Sequence, residues 1–188
     1  MAKAKTLTDK ELRKVLAYIA VRKHAARNRA MLLMTHWAGC RVGTVAALRI
    51  GDVLNSDGTI KPEVRLAPDQ AKGGRAYTLF LCDKLRKELA AYTSSIDVSD
   101  SAKPLFFTQK RSGFSSNTLC QYFWWLYRQV GIDGASSHTG RRSFITNLAN
   151  KGIGVRVLQS LANHSSISTT QAYIDVNDGM LRKAVELL

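Results

Sequence analysis

Apolar residues recur along this chain at two spacings, and the spacing changes with position. Leu12, Val15, Leu16 and Ile19 repeat at helical intervals behind Thr8 and Glu11, a pair whose three-residue separation makes a capping box. Ala30, Leu33, Met34, Trp37 and Ala38 share one face of a second predicted helix, which Gly39 ends. A short helix is expected over about 42–49. Between positions 59 and 81 the pattern becomes extended: runs at 63–66 and 76–81 flank Lys72-Gly73-Gly74-Arg75 and predict a β-hairpin. Asp83 is expected to cap a helix carrying Leu85, Leu89 and Tyr92, and Leu105-Phe106-Phe107 is a candidate short strand. Leu119, Tyr122, Phe123, Leu126, Tyr127 and Val130 predict a strongly amphipathic helix. Four helical segments follow, over about 139–151, 155–162, 166–174 and 178–188. No repeat, low-complexity stretch or interdomain linker interrupts this order. The expectation is an α+β domain, mainly α, with a small antiparallel β-sheet, occupying residues 1–188.

Composition narrows the class. With 188 residues the chain suits one packed domain better than two. No apolar run approaches the roughly 18 residues of a membrane span, and the first residues lack the apolar core of a secretory signal. Cys40, Cys82 and Cys120 are widely spaced and odd in number, which argues for reduced thiols in a cytoplasmic setting and fits no zinc site. A formal charge of +14 points to a polyanionic partner, of which nucleic acid is the usual one. About half of that excess lies in the first thirty residues, where nine basic side chains face only Asp9 and Glu11. A membrane surface is the weaker alternative, because the basic segments carry no spare aromatic stripe.

Several residues stand out against this background. Phe144, Ile145, Leu148 and Ala149 form the apolar stripe of their helix; at 100° per residue Arg141 falls inside the stripe and Arg142 points away from it. A core-facing guanidinium is costly unless it meets an anion, so Arg141 is either an internal ion pair or a phosphate clamp. His138 precedes it by three positions. Arg41, after Gly39-Cys40 at another helix start, repeats the arrangement with Val45 and Leu48 on its face. Two such arginines beside a histidine suggest a phosphate gripped from two sides. Lys72 between glycines is, alone, an ordinary turn. Tyr173 lies off the Ile167, Thr170 and Ile174 stripe, so its hydroxyl need not be buried.

The stretch HTGRRSFITNLANKGIGVRVLQSLANHSSISTTQAYIDVND resembles the C-terminal box of the tyrosine recombinases, the phage integrase family: an H-x-x-R motif, a later histidine, and a tyrosine nine residues beyond it. These fall on His138, Arg141, His164 and Tyr173. TLTDKELRKVL resembles the opening of the family's catalytic domain, and GCRVGTVAALRIGDV its first arginine box, placing that arginine at Arg41; the hairpin lysine maps to Lys72. The resemblance implies a helical catalytic domain acting on double-stranded DNA. Tyr173 would attack a phosphodiester and keep the 3′-phosphate, and Arg41 and Arg141 would bind the phosphoryl oxygens. His138 would assist proton transfer, Lys72 would protonate the leaving 5′-oxygen, and His164 would hydrogen-bond the phosphate. The scheme calls for no metal or cofactor. It implies self-association on DNA, with a tetramer expected; the helix after the tyrosine is either its link or, in the DNA-free protein, docked back onto its own domain with Tyr173 in an inactive pose.

The pattern departs from the family at Thr44, where an acidic residue is usual, and at Asn163, where a glycine usually precedes the histidine. Residues 1–188 are expected to hold the catalytic domain without the N-terminal core-binding domain that closes the clamp in many members, so isolated DNA affinity is expected to be weak and salt-dependent. Related readings are a relaxing DNA topoisomerase, a telomere resolvase, or a DNA-binding regulator that kept the fold; the last has no need of a tyrosine at this spacing. Trp124 and Trp125 lie off the main stripe of their helix and are expected to fill a second packing face, with a contact to DNA or another subunit as the alternative. Cys40 reads as a small core residue.

Overall fold

A computed structural model describes residues 4–71, 74–110, 112–174, 176 and 178–186. Helix α1 (Asp9–Ala20) opens with the expected capping box between Thr8 and Glu11 and buries Leu12, Val15 and Ile19. Helix α2 (Ala25–Trp37) behaves differently from its one-faced reading: every residue from Ala30 to His36 is buried. It is the central post of the domain, packed against α1, α3 (Val42–Ala47), α5 (Asp83–Thr93) and α7 (Thr139–Asn150). Gly39 ends it with φ +64°, and the Phe144 ring lies 2.5 Å from where a Cβ would stand, so this position needs glycine on both counts.

After α3 comes a short helix that the sequence did not signal, α4 (Ile50–Val53). The hairpin forms as β1 (Glu63–Leu66) and β2 (Tyr77–Phe80), antiparallel, with Glu63 opposite Phe80 and Leu66 opposite Tyr77. Its connection is longer than a tight turn and begins with a 3-10 turn over Pro68–Gln70. Helix α5 starts from Cys82, in extended geometry; Asp83 is therefore its first residue rather than its cap, and accepts from Arg86. Leu105-Phe106-Phe107 is no strand. Leu105 and Phe106 are fully buried, Tyr92 stacks on Phe106 and its hydroxyl donates to Leu105 O at 2.8 Å. The run plugs the core, and Pro104 beside it has no N–H for a ladder.

Helix α6 (Ser116–Val130) buries Leu119, Phe123, Leu126, Tyr127 and Val130. The second packing face expected of its tryptophans forms only in part among the described residues: Trp124 is 53% and Trp125 44% exposed. Trp124 lies under the Arg128 guanidinium, and Trp125 meets Tyr18 edge-on. Helices α7, α8 (Val155–Ala162), α9 (Ile167–Gln171) and α10 (Asp178–Val185) complete the chain. The class is the expected one, mainly helical with a two-stranded antiparallel sheet. Among the described residues no helix is long and apolar enough to cross a membrane.

Burial of α2 has a consequence for acid stability. Among the described residues the buried His36 Nδ1 has no hydrogen-bond partner, and desolvation, with Lys84 nearby, depresses the pKa of His36 from 6.5 to about 4. The folded state thus excludes a proton that the unfolded chain accepts. The associated stability is complete above about pH 6.5 and is lost as pH falls toward 4, on the order of a few kcal/mol. Urea unfolding at pH 7 and pH 4.5 measures the loss. His36→Leu is expected to flatten the slope, and an unchanged slope would place its source elsewhere.

Candidate active site

Gly140 brings α7 into position. A Cβ there would stand 2.0 Å from Thr35 Oγ1 and 2.8 Å from Thr35 Cβ, so only glycine lets α7 approach α2 this closely. The next residue, Arg141, is consequently driven inward and is 5% exposed. Its Nη1 donates to Gly39 O at 2.7 Å and its Nη2 to Ala162 O. Arg41, just before α3, donates from Nη2 to Asn163 O at 3.1 Å, while its buried Nη1 has no partner among the described residues. Neither guanidinium is held by a carboxylate among the described residues. Both rest on main-chain carbonyls, two of which belong to the C-terminal end of α8, the negative end of a helix.

This accounts for both local departures from the family pattern. Thr44, in the place of the usual acid, turns its hydroxyl to Gln70 O (3.3 Å) and Tyr77 Oη (3.4 Å), leaving carbonyls as the counter-charge for the arginines. Asn163 ends α8 with φ +46° and ψ +55°, the left-handed region where glycine is favoured and asparagine is the best-tolerated side chain.

His164 follows, 8% exposed, with Nδ1 2.9 Å from Thr170 Oγ1 and its ring stacked on Tyr173 at 5.6 Å. Desolvation, together with the positive Arg141 and Arg41, lowers its pKa to about 4, so it is a neutral imidazole near neutral pH. Desolvation first, then Arg41, lowers Arg141 to about 10, which leaves it charged. Tyr173 is half-buried, its backbone fixed by Thr146 Oγ1, which donates to Tyr173 O at 3.1 Å.

Arg41, His138, Arg141, His164 and Tyr173 line a single cavity of about 790 Å³. His138 is the exposed member, at the start of α7. Lys72 lies outside the described residues; its predecessors Gln70 and Ala71 are on the cavity wall. Gln70 anchors that stretch, with Nε2 donating to Ala47 O and Oε1 accepting from Ala67 N. The sequence reading missed Arg142. Its helical phase does take it away from the core stripe, yet it also lines the cavity, with its Cζ 5.5 Å from the Tyr173 ring centre. The supporting carbonyls were invisible in the sequence because main-chain acceptors leave no residue signature. Among the described residues no group of His, Cys, Asp or Glu is placed to hold a metal. Cys40 is buried, with desolvation raising its thiol to about 12, as suits a core residue.

The sequence pattern of the Phage integrase family matches residues 5–180. Tyrosine recombinase XerA of Pyrococcus furiosus is 30% identical over 185 residues, covering 97% of this chain and 61% of that protein. Tyrosine recombinase XerD of Xanthomonas axonopodis pv. citri is 32% identical, covering 95% and 61%. The chain thus spans about half to three fifths of the length of the curated relatives it matches. Among solved structures, XerA recombinase superposes with a TM-score of 0.77 at 22% identity, over all of this chain and 66% of that one. The Tn1549 transposon integrase, in complex with a circular intermediate DNA, gives 0.77 at 17% identity, over 100% and 67%. Identities this low speak for the shared fold.

Proposed function

Because the chain belongs to the Phage integrase family, we propose that it is the catalytic domain of a site-specific DNA recombinase. The observation that carries this reading is the pair of arginines held by carbonyls, with Arg41 Nη1 without a partner among the described residues, facing Tyr173 across one cavity. Such a cavity fits a phosphodiester. Tyr173 Oη attacks the phosphorus and gives up its proton, the bond to the 5′-oxygen breaks, and that oxygen leaves as a hydroxyl. The product is a 3′-phosphotyrosine ester, which keeps the bond energy for rejoining when a 5′-hydroxyl of another strand attacks. Arg41 and Arg141 stabilise charge on the non-bridging oxygens. His164, with Nδ1 committed to Thr170, offers Nε2 to the phosphate. His138 moves the proton and Lys72 delivers one to the leaving oxygen.

The substrate is double-stranded DNA, and turnover takes place in a self-associated form, a tetramer on paired sites. Helix α10 supports this, since it leaves Leu181 56% and Val185 67% exposed, and a helix of eight residues needs a surface to dock on. Deleting residues from Asp178 onward is expected to leave a folded, DNA-binding domain that assembles and recombines poorly. Sedimentation on DNA and a recombination assay check this, and unchanged values in both would remove α10 as the link.

Trapping on a nicked suicide duplex bearing the cognate site tests the function itself. A covalent adduct followed by strand exchange is the expected result. Relaxation of plasmids without a site would favour a topoisomerase, and binding without any adduct a regulator.

A further inference from the structure

We propose that Arg142 is a positioning residue for Tyr173, holding the ring where its hydroxyl can reach the phosphate. The inference rests on the reading of Tyr173 as the nucleophile. Adjacent arginines on α7 are split between two tasks by the 100° step of the helix. Arg141 turns inward to the carbonyls of Gly39 and Ala162, whereas Arg142 turns aside and places its Cζ 5.5 Å from the centre of the Tyr173 ring. Thr146, one turn further along the same face of α7, holds the Tyr173 carbonyl. A single helix face therefore grips both the ring and the backbone of this tyrosine, and His164 supplies the flat surface on which the ring stacks.

The physical basis is the attraction between a guanidinium and an aromatic face. Tyr173 sits just beyond the short helix α9, whose five residues cannot fix it unaided. Contacts from α7 are what tie its ring to the element that also carries Arg141. The position of the nucleophile relative to Arg141 is thereby fixed by contacts to one helix, α7.

The test is single-turnover cleavage of a nicked suicide duplex at saturating DNA, with affinity measured separately at the same salt. Arg142→Met is expected to slow adduct formation by about tenfold, the size of a partly buried cation–ring contact. Arg142→Lys, which keeps a cation beside the ring, is expected to recover most of the rate. Arg142→Gln is a second neutral variant for the case in which the methionine protein melts early. Equal rates for all variants, a loss confined to affinity, or a lysine variant no faster than the neutral ones would each overturn the proposal. If the parent protein forms no adduct on Tyr173, the nucleophile assignment itself fails. An adduct on Tyr173 with unaffected variants defeats the positioning role alone.

Discussion

Tyr173→Phe is expected to abolish the covalent protein–DNA adduct while DNA affinity and melting temperature stay close to the parent values. The expectation follows from what the phenol does in the fold. Its hydroxyl makes no hydrogen bond among the described residues, so removing it leaves no buried group unsatisfied. The ring is the part that packs, against His164 and Arg142, and phenylalanine keeps both contacts. Cleavage, by contrast, has no substitute for the missing oxygen. Mass spectrometry of the trapped parent complex should place the nucleotide on Tyr173. An adduct on Tyr122, half-buried on α6, or continued cleavage by the phenylalanine variant would sink the assignment; Tyr127, 1% exposed in the core, could react only after local unfolding.

Arg141→Ala is expected to lose both activity and stability, and the two losses have separate causes. Removing a donor aimed at the developing charge costs about 3 kcal/mol in the transition state, roughly a hundredfold or more in cleavage rate. Gly39 O and Ala162 O are also left buried without their donor, at about 1–3 kcal/mol for each unsatisfied group. A fall in melting temperature should therefore accompany the fall in rate. Arg41→Ala is expected to match the rate loss with less effect on stability, since Arg41 is half-buried and gives up a single carbonyl contact. Single-turnover cleavage and thermal unfolding of the two variants check the contrast. Unchanged cleavage by Arg141→Ala would exclude it from the phosphate clamp.

Much of the architecture could be read from periodicity, because the helices that frame the cavity are amphipathic. The capping box at Thr8, the inward phase of Arg141 and the hairpin strands all follow from local rules. Failures came where tertiary contact decides. Helix α2 is buried on all sides from Ala30 to His36, so its apolar positions there carry no single-face signal. Leu105-Phe106-Phe107 has the composition of a strand but lies against Tyr92 as filling. Trp124 and Trp125 lie off the main stripe of α6, yet the contacts with Arg128 and Tyr18 leave much of both rings exposed. At the site, charged side chains advertise themselves and their counter-charges do not. A helical wheel measures direction from one core, whereas the cavity wraps around two sides of α7 and takes in Arg142 as well as Arg141.

The end of α8 has a consequence for how this cavity responds to its surroundings. A carboxylate that steadies an arginine can be neutralised by acid, and its hold then weakens. The carbonyls of Ala162 and Asn163 take up no proton anywhere in the working range, and Arg141, lowered to about 10, keeps its own near neutrality. His164, already neutral, adds no charge until the pH nears 4. On the described part of the wall the one acidic side chain is Asp69, at the rim, 3.7 Å from Arg49. Acidification therefore leaves the seat of the arginines intact, because carbonyls hold them where a carboxylate could have been neutralised. The reach of the clamp is set by the packing of α7 and α8, a mechanical quantity, and salt is the solvent variable that weakens its pull on an anion.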